Sequence, residues 1–402
     1  MRVRLKDVVT ANRSVLSDST DPEFAFHYID IGAVSDGQIN VPEEISRFET
    51  APSRARRLAE PGDTVVSTVR TYLRAVARVP ESPAKMVFST GFAVLHPSKE
   101  WMDSRFLSYF CTSDYFIESV VSRSVGVSYP AINASEVANI WLDLPPLDEQ
   151  RRIADFLDAE TSAIDRLASL RVRQVGGVDD RAQAELDRLF AAPSFSRVRL
   201  KFLLRQRISY GVLVPRFVDG DGVRMIRVND LVDLPQRAPS LAQIERAQSA
   251  EYRRTVVESG DLLISVVGTV GRSAVVPPEA AGANLARAVA RLCPLPEVDA
   301  ELLWCWTQSS RFRQQVDLVT GGDTAQPTLN VGDLANFELA LPVGAAERSD
   351  LLREASRVLA TRSGVRAACE RQASLIAERR QALITAAVTG RLDVTTARRG
   401  AD

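Results

Sequence analysis

The chain repeats itself once, and that repeat limits its possible folds more than any other feature of its 402 residues. Val3-Arg4-Leu5-Lys6 recurs as Val198-Arg199-Leu200-Lys201, an offset of 195. Pro61-Gly62-Asp63-Thr64-Val65-Val66-Ser67 matches Ser259-Gly260-Asp261-Leu262-Leu263-Ile264-Ser265 at 198. Ser128-Tyr129-Pro130-Ala131-Ile132-Asn133 matches Ala325-Gln326-Pro327-Thr328-Leu329-Asn330 at 197, as Leu144-Pro145 matches Leu341-Pro342. A period near 197 far exceeds the roughly 20–50 residues of a solenoid unit. It marks a duplicated domain of about 150 residues, an ordinary domain size, followed each time by a long segment of different character.

Within each repeat, β-branched residues after a Gly-Asp turn predict strands at Asp63 to Ser67 and Asp261 to Val267. Apolar residues at helical spacing predict one helix from Asp103 to about Ser122 and its counterpart from Asp299 to about Leu318. The segments that follow carry longer helical patterns. In the first, Ile153, Phe156, Leu157, Ile164, Leu167 and Leu170 share a face, Pro145-Pro146 precede it, and Asp148-Glu149 favour the positive end of the helix dipole. In the second, Leu351, Ala355, Val358, Val365, Cys369, Ile376 and Leu383 approach a heptad seam. Each would be ~60 Å long at ~1.5 Å per residue, and Gly176-Gly177 should kink or fray the first near its middle. The fold class read from this order is α+β: two tandem strand-rich domains separated by two long antiparallel, coiled-coil helices, in a pseudo-twofold repeat. The boundaries are residues 1–147 and 191–341 for the domains, 148–190 and 342–394 for the helices, and 395–402 for a flexible tail.

Charge supports the pairing. The 50 basic and 51 acidic residues nearly cancel, yet residues 148–190 are net −3 and residues 342–402 net +4, which favours association of the two helices with each other. Antiparallel pairing with short connections would put two similar globules at opposite ends of a rod, facing opposite ways. Duplex DNA, with its own local dyads, is the commonest ligand for such an arrangement.

Several chemistries are excluded by residue type. The only lysines are Lys6, Lys85, Lys99 and Lys201, none preceded by glycine, so no phosphate-binding P-loop can be drawn. No lysine follows an acidic residue by two positions, which removes the acidic-x-Lys nuclease core. Cys111, Cys293, Cys305 and Cys369 with His27 and His96 lack metal-ligand spacing and read as buried thiols in a reducing cytoplasm. No stretch approaches the ~18 apolar residues of a membrane span, and a cytoplasmic protein without a signal peptide is expected. Asp143-Leu144-Pro145-Pro146-Leu147 misses the Asp/Asn-Pro-Pro-aromatic motif of adenine methyltransferases and reads as the start of a helix.

Pro145 to Asp158 (PPLDEQRRIADFLD) with Ile164-Asp165, and Leu375 to Val394 (LIAERRQALITAAVTGRLDV), resemble the two helical regions of type I restriction-modification specificity subunits. Gly260 to Pro277 (GDLLISVVGTVGRSAVVP), the Ile208-Ser209-Tyr210-Gly211 turn and the Pro-x-Leu/Ile-Asn elements resemble that family's target-recognition domains. The resemblance covers essentially the whole chain in the same order. It implies a non-catalytic subunit in which each globule reads one half of a bipartite, asymmetric site on double-stranded DNA. The helices would space the globules and dock two modification (methyltransferase) subunits, and restriction subunits would join them as nuclease and translocase. S-adenosylmethionine, ATP and Mg would be bound by those partners, and the chain itself would hold no cofactor. The halves depart from the pattern differently: Glu149-Gln150-Arg151-Arg152 is replaced in the second half by Glu347-Arg348-Ser349, whereas Arg379-Arg380-Gln381-Ala382-Leu383 has no equivalent in the first.

Arginine near polar or aromatic residues and glycine is the pattern sought for DNA contact, because arginine meets phosphates and guanine edges and glycine lets backbone approach closely. In the first domain it selects Arg54, Arg56 and Arg57, then Arg70, Tyr72 and Arg74, and the Ser128, Tyr129 loop. In the second it selects Arg205, Arg207 and Tyr210, the Gly268, Thr269, Arg272 turn, and Thr324 with Gln326. The helical signatures supply the partner-docking set, Glu149, Gln150, Arg151, Phe156 and Leu157 on one helix and Arg379, Arg380 and Leu383 on the other. Two other readings stand beside this one: a coiled-coil protein-binding adaptor, and a stand-alone DNA methyltransferase or nuclease.

Overall fold

The two Gly-Asp turns start the same hairpin twice. Gly62 and Gly260 both have positive φ (93° and 86°), where a glycine lacks the Cβ clash of other residues, and strands Thr64–Ser67 and Leu262–Ser265 follow. The computed structural model describes residues 1–35, 37–82, 85–321 and 327–394; the tail expected at 395–402 lies outside them. The chain divides into two compact units: Met1–Arg171 with the chain from Arg371 onward, and Val172–Glu370. The division falls inside the two long helices, so each unit owns one strand-rich globule and a piece of both helices.

In the first unit, a four-stranded antiparallel sheet runs Val76–Arg78, Thr64–Ser67, Phe92–Pro97, Val9–Ala11. A five-stranded sheet runs Ser14–Val15, Ala55–Leu58, Met86–Ser89, Ala25–Ile29, Ser46–Arg47, with one parallel pairing, Met86–Ser89 beside Ala25–Ile29. Arg2–Arg4 pairs with Trp141–Asp143, closing the globule just before the first long helix begins. In the second unit, Ser196–Arg199 pairs with Glu338–Leu341 in the equivalent way. Its central sheet runs Ser209–Tyr210, Val289–Leu292, Leu262–Ser265, Ser273–Val275, and a second sheet again has one parallel pairing, Val223–Ile226 with Asn284–Leu285.

Where one helix was expected, each unit has two. Ser104–Thr112 and Asp114–Val121 are separated by Ser113, whose extended backbone stops the first and whose Oγ accepts from Phe116 N to cap the second. In the second unit Gln308 and Ser309 separate Ala300–Thr307 from Ser310–Thr320, and Ser309 Oγ accepts from Phe312 N to cap the second. Each second helix is then fastened to a long one. Asp114 N donates to Thr385 Oγ1 (2.9 Å) in the first unit, and Ser310 N donates to Asp187 Oδ1 (2.9 Å) in the second.

The long helices span Leu147–Leu189 and Ala345–Val388, and their pieces pair antiparallel within each unit. In the first unit, Ile153 and Leu157 share a buried cluster with Ile384, Ala387 and Val388, and further along Asp165 meets Arg380 Nε at 3.2 Å. In the second, Leu186 packs in one cluster with Leu351, Ala355 and Leu359, while Asp179 lies 3.8 Å from Arg366. The helix passes through Gly176 and Gly177 unbroken, so it does not fray there. Both glycines face open space, and the i→i−4 ladder through them needs no side chain to persist. No helix of the described residues is long and apolar enough to cross a membrane. All four cysteines are buried, and burial pushes the Cys305 and Cys293 thiols up to about 11 and the Cys111 thiol higher still, which keeps them protonated and poorly nucleophilic.

Candidate nucleic-acid interface

In the first unit the hairpin turn after Thr64–Ser67 is built around two arginines in left-handed backbone conformation. Arg70 (φ 48°, ψ 49°) and Arg74 (φ 55°, ψ 33°) bracket a single helical turn, Thr71–Leu73, and thereby push Tyr72 and Leu73 outward. A second loop, 122–131, is laced to the first. Arg70 N donates to Pro130 O (2.8 Å), Thr71 and Ser124 hydroxyls meet at 2.9 Å, and Arg70 stacks on the Tyr129 ring at 4.6 Å. Arg74 pairs with Asp114, which begins the neighbouring helix. Arg54 joins this end of the sheet: its carbonyl accepts from Thr90 N, and the adjacent Gly91 carbonyl accepts from Thr68 N. The structure thus gathers Arg54, Arg70, Tyr72, Arg74, Ser128 and Tyr129 at one end of one globule.

One candidate arginine is committed elsewhere and another is half-buried. Arg56 stacks on Phe48 (4.8 Å), donates to Ala55 O and lies 3.6 Å from Asp18. Arg57 is half-buried in strand Ala55–Leu58. Arg123 was missed by the sequence pattern, yet it is exposed beside the same tip and has no acidic partner among the described residues. The available signal was charge: residues 64–78 hold three arginines, residues 119–135 hold Arg123, and neither stretch contains an aspartate or glutamate.

The second unit builds the equivalent turn differently. Gly268 (φ 76°) and Gly271 (φ 87°) take the left-handed positions, with Thr269 exposed and Val270 buried between them. Ser265 Oγ accepts from Arg272 N at 2.9 Å and donates to Thr269 O, tightening the loop. Tyr210, half-exposed, reaches the same end, because Val212 O accepts from Arg287 N while Ala288 O accepts from Val266 N. Gly211 is obligatory there, since a Cβ would sit 1.8 Å from Leu285 O. Arg207 is exposed two residues before the Ser209–Tyr210 strand. Arg205 is not part of this end. It lies 3.4 Å from Glu258 and 3.9 Å from Asp261, which precedes strand Leu262–Ser265, whereas the Gly268 turn follows it. There it screens a buried ion pair, Asp261 with Arg291 Nε at 2.6 Å. Thr324 and Gln326 lie outside the described residues.

The helical candidates divide by burial. Gln150 is 0% exposed: its Nε2 donates to Trp101 O and Pro145 O, and its Oε1 accepts from Asp103 N, each at 2.9 Å. Leu157 is likewise 0% exposed, so neither can touch a partner. Both instead fix the start of the first long helix to the globule, as does Phe156; Leu383, near the end of the second long helix, is partly buried against the same cluster. Nearby, Arg105 bridges Asp155 (2.7 Å) and Asp158 (2.8 Å), and the Tyr109 hydroxyl donates to Asp158. Burial pushes Tyr109 up to about 12, so that donor stays protonated. Glu149, Arg151 and Arg379 are exposed, while Arg380 is spent on Asp165. The surface that remains on this helix pair is an apolar groove lined by Ile164, Leu167, Leu375 and Ile376 and flanked by Arg379.

The family model for the type I restriction modification DNA specificity domain matches residues 1–169. The chain is 27% identical over 271 residues to the type I restriction enzyme EcoBI specificity subunit of Escherichia coli, a match that covers 61% of this chain and 57% of that protein. A solved chain from work on the complex assembly and conformational transition of the type I R-M system is 25% identical and covers 98% of each chain, with a TM-score of 0.75. The HsdS subunit from Thermoanaerobacter tengcongensis is also 25% identical, over 98% of this chain and 97% of that one, with a TM-score of 0.50. The matched domain, together with the likeness of nearly the whole chain to solved chains of that system, makes the chain similar in sequence and fold to type I restriction-modification specificity subunits.

Proposed function

We propose that the chain is the DNA-reading subunit of a type I restriction-modification complex, each globule reading one half of a bipartite, asymmetric duplex site. The observation that carries this reading is the tip of the first unit, where two acid-free stretches place Arg70, Arg74 and Arg123 beside Tyr72 and Tyr129 on rigid, interlocked loops. Phosphates supply most nucleic-acid affinity through arginine, and loops held by a rigid sheet supply base contact. The second globule would read its half through Arg207, Tyr210, Thr269 and Arg272, with the two halves sharing a scaffold and differing in their loops.

The helices would carry the modification (methyltransferase) subunits, which bring S-adenosylmethionine, and restriction subunits would bring ATP and Mg. The exposed leucines Leu167, Leu170 and Leu375 lie on the helix pieces of the first unit, and among the described residues the pieces of the second unit expose only Val172 as a large apolar side chain. The two docking surfaces are therefore unequal. Action on chromosomal DNA places the complex in the cytoplasm.

The test is an exchange of residues 198–340 for the matching segment of another family member, in cells that supply the methyltransferase, followed by mapping of methylated adenines. One half of the methylated sequence should change and the other should remain. A change in both halves, or in neither, would refute the modular reading. An adaptor without DNA contact would leave the methylation map untouched.

A further inference from the structure

The tip of the first unit carries more apolar surface than contact with phosphates requires. Val127 is fully exposed, Val125 is 80% and Tyr129 66% exposed, and Tyr72 and Leu73 are each more than half exposed. Five large apolar side chains on two adjoining loops form the kind of patch that a water-soluble surface keeps only for a partner. The loops are not free to fold the patch away. Val125 and Ala131 exchange both backbone hydrogen bonds, Arg70 N is held by Pro130 O, and Ile132 N by Thr68 O. Of the cations around the patch, Arg74 is paired with Asp114, whereas Arg70 and Arg123 have no acidic partner among the described residues, which favours a polyanion over an acid-bearing or neutral protein surface. Aliphatic side chains cannot read the hydrogen-bonding edges of base pairs. They can insert at a base step, unstack it and kink the duplex, while arginines at the rim hold the backbone.

We propose that Tyr72, Leu73, Val125 and Val127 form an apolar wedge that opens one base step in the half-site read by the first unit. That half is then recognised partly by how easily its sequence unstacks. At the hairpin turn of the second unit the apolar residue, Val270, is buried. This inference rests on the DNA-reading function proposed above, and its test separates the two.

The experiment uses the full-length chain assembled with its methyltransferase partner and duplexes carrying its methylated site. A single mismatch is moved through the first half-site, avoiding the adenine that is methylated. A mismatch at the wedge step is already loosened, so wild type should bind that duplex about tenfold or more tighter than the matched one, because the unstacking cost is removed. Y72S/L73S and V125S/V127S should lose that gain while keeping the thermal stability of the wild type, since all four side chains are exposed. If wild type binds no duplex in a salt-dependent way, the DNA-reading function itself fails. If it binds and methylates its site but no mismatch tightens binding, or the serine variants keep the gain, the wedge is refuted and DNA reading stands. If the variants no longer assemble with the methyltransferase, the tip is a protein-docking surface and the wedge is equally refuted.

Discussion

The two halves of this chain place the same turn on the same scaffold and fill it with opposite residue types. Ser67 N bonds to Ala75 O in the first unit, and Ser265 N to Arg272 O in the second, so the first loop is one residue longer. Its left-handed positions hold Arg70 and Arg74 where the second holds Gly268 and Gly271. Beneath the turns the difference runs the other way. The first unit supports its hairpin with a buried Asp63 that accepts from Nδ1–H of the partly exposed His96, to whose Nε2 Arg13 donates. The second buries Asp261 and Arg291 against each other, 1% and 5% exposed. The first unit keeps a strained, decorated loop above a buried aspartate held by a partly exposed histidine, and the second a relaxed glycine loop above a fully buried ion pair. Duplication conserved the frame, and the halves diverged where residues meet solvent or ligand.

That contrast predicts a large asymmetry in stability. Arg291→Ala leaves Asp261 buried without its main partner, which costs about 3–5 kcal/mol when a buried pair is broken, or roughly 6–20 °C in the melting of a unit this size. His96→Ala removes one hydrogen bond to an Asp63 that still accepts from Glu60 N, costing about 1–2 kcal/mol. Calorimetry of the two variants measures the difference. Equal losses would mean that the first cluster is as tightly coupled as the second.

The starts of the long helices give the middle-sized effect. Gln150 closes three hydrogen bonds in a site without solvent, whereas its counterpart Arg348 donates from a half-exposed position to Pro342 O and Val343 O. Gln150→Ala strands a buried amide and two carbonyls and should cost about 2–3 kcal/mol; Arg348→Ala lets water replace the guanidinium and should cost about 1 kcal/mol or less. Denaturant titration decides it. Similar midpoints for the two variants would show that Gln150 is replaceable by water.

These cases also mark what a sequence discloses. The repeat, the paired long helices and the Gly-Asp hairpins were legible because periodicity and turn chemistry are local. The break at Ser113 was legible in principle, since Ser-Asp is an N-cap signal, but the aromatic spacing of Phe106, Phe110 and Phe116 concealed it: both helices bury the same face. Gln150 was misassigned because a polar residue in a motif looks the same whether it serves a partner or its own fold. Only tertiary contacts separate the two. Val125 and Val127 carried no signal, because exposure of an aliphatic side chain depends on what the chain leaves uncovered.

The smallest predicted effect bears most directly on the contrast between the loops. A non-glycine residue in the left-handed region costs about 1–2 kcal/mol, and a glycine placed there returns about 0.5–1 of that as extra freedom of the unfolded chain. Arg70→Gly should therefore stabilise the first unit by up to about 1 kcal/mol while weakening binding of its half-site, since the cation and its Tyr129 stack are lost together. Arg74→Gly should gain less, because it also gives up the Asp114 ion pair, worth ~0–1 kcal/mol at this exposure. The reverse exchange should destabilise the second unit through backbone strain at both positions, since Gly268 has open space around its would-be Cβ and at Gly271 a Cβ would make ordinary contact with Phe312 at 3.4 Å. A gain in melting temperature coupled to a loss of DNA affinity in Arg70→Gly would identify the strain as one retained for function. A loss of stability in that variant would mean instead that the Arg70–Tyr129 stack holds the two loops together, and that the first unit, like the second, keeps its turn for structural reasons.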